Sequence, residues 1–145
     1  MDSMKEVIAT HKLEKKTVFL ADSCEISGNL LSEILFREGY EIFRFKSGNE
    51  LLESLRNGAY PDLLLIGTML PGMSGLELLG RMNSAKIKLV TILIGYSYNI
   101  NDVLLAYRYG AVDFIMKPLD LKEVLMRVKL SLERVLSFDN TIGTA

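Results

Sequence analysis

Apolar positions along the chain alternate between short continuous runs and stretches with helical spacing. Thr17 to Ala21 is an uncharged run that predicts a first strand. Ile26, Leu30, Leu31, Ile34 and Leu35 then recur at helical intervals, and Gly39 stands where a helix C-terminus wants it. Tyr40 to Phe45 predicts a second strand. Leu51, Leu52 and Leu55 mark one side of a second helix that ends near Asn57-Gly58. Leu63 to Ile66 is apolar throughout, as in a parallel strand covered on both faces. A third helix is predicted over Ser74 to Met82, a fourth strand over Leu89 to Ile94, and a short fourth helix over Asn101 to Tyr109, closed by Gly110. Phe114 to Met116 predicts a fifth strand. Leu121, Val124, Leu125, Val128, Leu132 and Val135 form the stripe of a long last helix.

Five strand–helix alternations predict a doubly wound α/β domain with a parallel sheet. Right-handed crossovers bring the C-terminal ends of the strands to one edge, where a site is expected. Asp22, Gly67, Gly95 and Lys117 fall at or just after the ends of strands one, three, four and five. The domain is expected over residues 17–136. Residues 1–16 read as a flexible arm or short extra helix: Ser3 and Glu6 have capping-box spacing, and Met4, Val7 and Ile8 share an apolar face. His11, in that arm, reads as solvated. Residues 137–145 form a polar tail.

Composition narrows the class. The 145 residues are 49% hydrophobic, with 17 basic and 18 acidic side chains, as in a globular protein. A net charge of -1 gives no electrostatic case for direct nucleic-acid binding by this domain. No apolar run reaches membrane-spanning length, and the N-terminus lacks the apolar core of a signal peptide, so the expected location is cytoplasmic. Cys24, the single cysteine, excludes an intramolecular disulfide. It stands at the start of helix one, where the helix dipole favours a thiolate, although a packed inert thiol is the simpler reading. The seven methionines are spread through core-like positions and suit gap filling.

The segment from Tyr60 to Leu79, with Met69-Leu70-Pro71-Gly72-Met73 at its centre, and the pair Lys117-Pro118 closely resemble the response-regulator receiver domain, the CheY-like family. The resemblance covers Thr17 to Arg134. It implies a flavodoxin/CheY-like strand order, 2-1-3-4-5, with five helices, and a cis Lys117-Pro118 bond. Members of that family bind Mg²⁺ through clustered carboxylates, accept a phosphoryl group on an aspartate, and sense it with a hydroxyl and a lysine. Mg²⁺ needs hard oxygen ligands, the acceptor must be an anionic nucleophile, and phosphoryl oxygens need fixed positive partners.

The resemblance places Gly67 at the acceptor position, Ala21 and Asp22 at the acidic pair, Gly95 at the sensing hydroxyl, Lys117 at the lysine, and Phe114 at the switch aromatic. The acceptor, one metal carboxylate and the hydroxyl are therefore absent. It follows that no residue here is catalytic and that Mg²⁺ binding is unlikely, with Asp22 weak at best. Asp62 is expected on the wrong edge of the sheet, and the Thr68 side chain is expected to point away from the site. Lys117 and Asp22 are expected to pair across the vacated pocket. Gly67 and Gly95 leave space for water or, as a lesser possibility, an anion such as a nucleotide or sulfate.

Tyr96, Tyr98, Tyr107 and Tyr109 cluster between the fourth and fifth strands. In receivers the face of helix four, strand five and helix five is the usual partner and dimer surface, and tyrosine suits interfaces. At least two of them are expected to be exposed there. The leading expectation is thus a phosphorylation-independent protein-interaction module in a signalling circuit, with a protein partner or a second copy on that face. The alternatives are the regulatory domain of a longer response regulator with a DNA-binding or enzymatic output, and a small-ligand or nucleotide-binding domain. The spacing of Leu121, Leu125, Val128, Leu132 and Val135 suits a continuing coiled-coil linker, against which stands the polar tail. Neither a phosphate-binding glycine loop nor a serine–histidine or cysteine–histidine arrangement supports an enzyme.

Overall fold

The computed structural model describes residues 15–96 and 99–144, with side chains through residue 133. The expectations for Ser3, Met4, Glu6, Val7, Ile8, His11, Tyr98 and Val135 lie outside those residues or side chains. The chain runs β1 (Thr17–Ala21), α1 (Glu25–Arg37), β2 (Glu41–Phe45), α2 (Gly48–Arg56), β3 (Leu63–Gly67), β4 (Met69–Leu70), β5 (Met73–Ser74), α3 (Gly75–Ser84), β6 (Thr91–Gly95), α4 (Ile100–Arg108), β7 (Ala111–Met116) and α5 (Leu121–Thr144). Five strands form one sheet in the order β2-β1-β3-β6-β7, every pair parallel. Counting only these strands, that is the expected 2-1-3-4-5 order, with five helices around it.

The central strands explain why an unbroken apolar run was needed. Successive residues of β3 point to opposite faces. Leu64 and Ile66 join Phe19, Leu51, Leu52, Leu78, Leu79, Met82 and Leu93 in the layer beneath α2 and α3. Leu63 and Leu65 join Val18, Leu20, Leu31, Leu35, Ile92, Ile94, Val124 and Val128 in the layer beneath α1 and α5. All five β3 residues are buried. Each such leucine contributes about 2 kcal/mol on leaving water.

Helix ends follow local chemistry. Gly39 and Gly110 take φ values of 96° and 107° just past α1 and α4, a region side chains disfavour. Ser47 and Ser74 are the N-caps of α2 and α3, their hydroxyls accepting the N–H of Glu50 and Glu77 at 3.1 and 3.0 Å. Ser74→Ala will lower stability by about 1 kcal/mol in urea denaturation, and a loss well below about 0.5 kcal/mol would show that this cap contributes little.

Three features differ from the sequence expectation. β7 starts at Ala111, three residues before the predicted strand, because Asp113 interrupts the apolar run yet stays in the ladder opposite Ile92. The motif after β3 folds into a small antiparallel hairpin, β4 with β5, turning at Gly72 with φ 74°. The backbone of α5 continues as helix to Thr144, through the stretch where the apolar spacing stops.

Candidate functional site

The C-terminal ends of β1, β3, β6 and β7 meet at a cavity of about 460 Å³. Asp22, Cys24, Gly67, Thr68, Gly95, Tyr96, Phe114 and Lys117 line it, with Asp102 from α4. The strand-end positions picked out in the sequence are thus brought together. Asp62 lies at the opposite edge, where it accepts the Thr17 N–H at 2.8 Å.

Lys117 and Asp22 form the centre of the cluster. The Lys117 ammonium donates to Asp22 Oδ1 at 3.0 Å, and their side chains are only 6% and 2% exposed. The Cys24 N–H donates to the same oxygen at 3.1 Å. The Tyr96 ring lies over the lysine, 5.3 Å from nitrogen to ring centroid, a cation–π contact on the outer side. Lys117 is thus held between a carboxylate and an aromatic face, and the Lys117-Pro118 bond is cis, as the resemblance implied. Asp22 Oδ2 is buried with no hydrogen-bond partner among the described residues. The Cys24 thiol is held below its usual pKa, chiefly by a hydrogen bond with the Ser27 hydroxyl and least by the Lys117 charge.

The residues present do not fit a Mg²⁺ ion. The side chains of Ala21 and Gly67 offer no ligand atom, and one Asp22 oxygen is already taken by an ammonium and an N–H. Among the described residues no three His, Cys, Asp or Glu side chains converge to hold a metal. Hard-cation sites need several oxygens, and a neighbouring ammonium competes for the one carboxylate.

The two glycines differ. A Cβ added at Gly67 would rest 3.4 Å from Asp22 Oδ1 and 3.5 Å from Ala21 O, which is ordinary contact. A Cβ added at Gly95 would stand 2.5 Å from Thr68 Oγ1 and 2.9 Å from its Cγ2. The expectation that Thr68 points away from the site is therefore overturned, and the space expected at Gly95 is filled. Thr68 follows the last residue of β3, where strict in-and-out alternation no longer governs direction. A nucleotide is poorly matched to the cavity as well. Among the described residues Lys117 is the one cation that lines it, and it is already paired, while Asp102 adds negative charge.

On the adjoining face, Tyr96 and Tyr107 are exposed, at 67% and 46%. Ile100 and Leu104 of α4 are exposed beside them in sequence. Tyr109 does not join this group: its ring packs on Gly80 of α3, where a Cβ would come within 3.2 Å, and it rests against the core. Phe114 is half-buried and packs on the same core layer. Sequence reasoning missed Arg127, whose guanidinium grips Asp113 of β7 through two bonds of 2.7 and 2.9 Å and reaches Glu123 at 2.9 Å. The Asp113 hydrogen bonds hold the Arg127 pKa above its usual value. An uncompensated aspartate inside a strand pattern was the available signal.

The chain belongs to the response-regulator receiver domain family, whose model matches residues 18–129. Members are signalling modules. Among curated proteins, it is 31% identical over 132 residues to the uncharacterized transcriptional regulatory protein YkoG of Bacillus subtilis, covering 91% of this chain and 58% of that protein. It is 26% identical to the transcriptional regulatory protein PcoR of Escherichia coli, over 88% of this chain and 56% of that one. The DNA-binding response regulator MtrA of Mycobacterium leprae is 30% identical, over 83% and 52%. The chain thus spans about half the length of these relatives. Among solved structures, the receiver domain of NtrX from Brucella abortus superposes with a TM-score of 0.71 at 27% identity, over 80% of this chain and 98% of that one. A CheY-like receiver domain protein from Methanospirillum hungatei shares the fold, with a TM-score of 0.77 at 24% identity, over 83% and 96%. No helix among the described residues is long and apolar enough to cross a membrane.

Proposed function

We propose that this chain is a receiver domain that acts without phosphoryl transfer, as the regulatory part of a transcriptional response regulator. The buried Lys117–Asp22 pair beside Gly67 carries the first half of this reading. A phosphorylatable site needs an anionic acceptor, and position 67 offers none. The lysine at that edge, Lys117, is engaged with Asp22 at 3.0 Å. The names of the curated relatives support the second half, because transcriptional and DNA-binding regulators of about twice this length match along nearly the whole of this chain. That reading is better supported than the interaction module standing by itself. DNA contact then falls to a part of the regulator other than this domain. The α4–β7–α5 face, with Tyr96, Ile100, Leu104 and Tyr107 exposed, is the surface offered to a protein partner or to a second copy.

Titrating the protein with Mg²⁺ and beryllofluoride, a phosphoryl mimic, while recording amide NMR spectra tests the first half. No saturable shift is expected around Asp22 and Lys117. A saturable set of shifts clustered on β1, β3 and β7 ends would sink the reading. The intact mass of the protein captured from its own cells tests the second half. A mass well above the 16.3 kDa of this chain supports a regulator with an attached output domain, and a mass near it returns the interaction module to first place.

A further inference from the structure

Thr68 is fixed at both backbone ends: its N–H donates to Ile94 O of β6 at 2.8 Å, and its carbonyl accepts the Gly75 N–H of α3 at 2.9 Å. Its side chain therefore has only χ1 to vary, and a β-branched side chain is stiff there. That side chain lies against Gly95, so close that a Cβ at 95 would meet Oγ1, Cγ2 and, at 3.2 Å, Cβ itself. Rotating χ1 can carry at most one of the two branch atoms away, and it leaves the Cβ contact unchanged. Thr68, Gly95, Tyr96, Asp102 and Phe114 all line one cavity, between the end of β3 and the start of α4.

We propose that Thr68 and Gly95 are a matched pair, in which the Thr68 side chain is a positioning wedge. It stands in the space a side chain at 95 would use, places a hydroxyl in the cavity from the residue after β3, and fixes how the start of α4 and Phe114 are arranged. This inference rests on the reading that no phosphoryl group enters the site. A bound anion no longer sets the α4–β7–α5 face, and the volume of residue 68 does. The asymmetry between the two glycines supports this. Position 67 leaves ordinary room for a side chain and position 95 does not, so Gly95 is required by a neighbour while Gly67 is not.

The test compares Gly95→Ala, Thr68→Ala and the double variant in urea denaturation, with Thr68→Ser as a variant that keeps the hydroxyl and loses one methyl. Gly95→Ala is expected to lower the folding equilibrium constant about tenfold or more, in line with overpacking, while the same change in the Thr68→Ala background costs little. Equal losses in both backgrounds would overturn the pairing. Amide NMR of Thr68→Ala is the second readout. Shifts are expected through residues 100–116, well beyond the contacts of residue 68, with Thr68→Ser moving them less. Shifts confined to residues 66–70 and 94–96 would leave a packing pair but overturn the positioning role. Neither readout involves a phosphoryl mimic. Beryllofluoride binding would therefore defeat the proposed function separately, without altering the denaturation result.

Discussion

Lys117→Met will lower stability by about 3–5 kcal/mol, the range for removing one partner of a buried ion pair. The size follows from what the change leaves behind. Asp22 stays where it is, its side chain 2% exposed, with one oxygen lacking any hydrogen-bond partner even in the intact protein. Without the ammonium, the Cys24 N–H is the one donor among the described residues left bonded to that carboxylate. The favourable energy of the intact pair is small by comparison, because bringing both ions out of water offsets most of their attraction. Combining Lys117→Met with Asp22→Asn therefore recovers most of the loss. The asparagine keeps an acceptor for Cys24 and carries no charge. Urea denaturation of the two single variants and the double variant measures this. A single-variant loss of no more than about 1 kcal/mol would place the pair with ordinary surface salt bridges and contradict its burial.

Gly75→Ala will cost about 3 kcal/mol, although alanine is the better helix former by about 1 kcal/mol. Gly75 opens α3 directly over the end of β3. An added Cβ would press on the Gly67 carbonyl oxygen well inside contact distance, and would meet Ile66 Cγ2 at 3.3 Å. The obstacle is backbone, locked into the ladder with β6 and tied to Gly75 through Thr68, so it cannot swing aside. Gly28→Ala on α1 is the control. A Cβ there also meets a close neighbour, but that neighbour is the end of the Arg44 side chain, which can move. Thermal or urea denaturation should separate the two sharply. Equal effects would mean that α3 slides freely over β3.

Much of the fold was legible because the sheet is covered on both faces. The run Leu63 to Ile66 is apolar without interruption, and it is the strand at the centre of the sheet. Gly39 and Gly110 marked helix ends for a steric reason that needs no tertiary information. The cluster of Asp22, Gly67, Gly95 and Lys117 was legible because strand ends in a parallel sheet share an edge. What stayed hidden depends on the third dimension. Asp113 looked like a break in a strand because its partner, Arg127, comes from another element 14 residues on. Tyr109 and Tyr107 sit two apart on one tyrosine-rich stretch, yet one packs on Gly80 and the other faces outward. Composition cannot tell them apart. Thr68 was misdirected because its orientation depends on how β3 leaves the sheet beside a glycine of a different strand.

The Thr68 wedge also makes a side chain at position 95 hard to introduce. A threonine or serine placed at 95 would collide with a side chain whose backbone is fixed at both ends. A smaller residue would first have to appear at 68, a step with no immediate benefit to a domain already packed around the threonine. The Cβ of an aspartate at 67 meets no such barrier, but its carboxylate would stand against that of Asp22, whose neighbouring ammonium, Lys117, is already engaged. Under the proposed reading, each single step toward a phosphorylatable site is thus penalised on its own, in the manner of a ratchet, by sterics at 95 and by charge at 67.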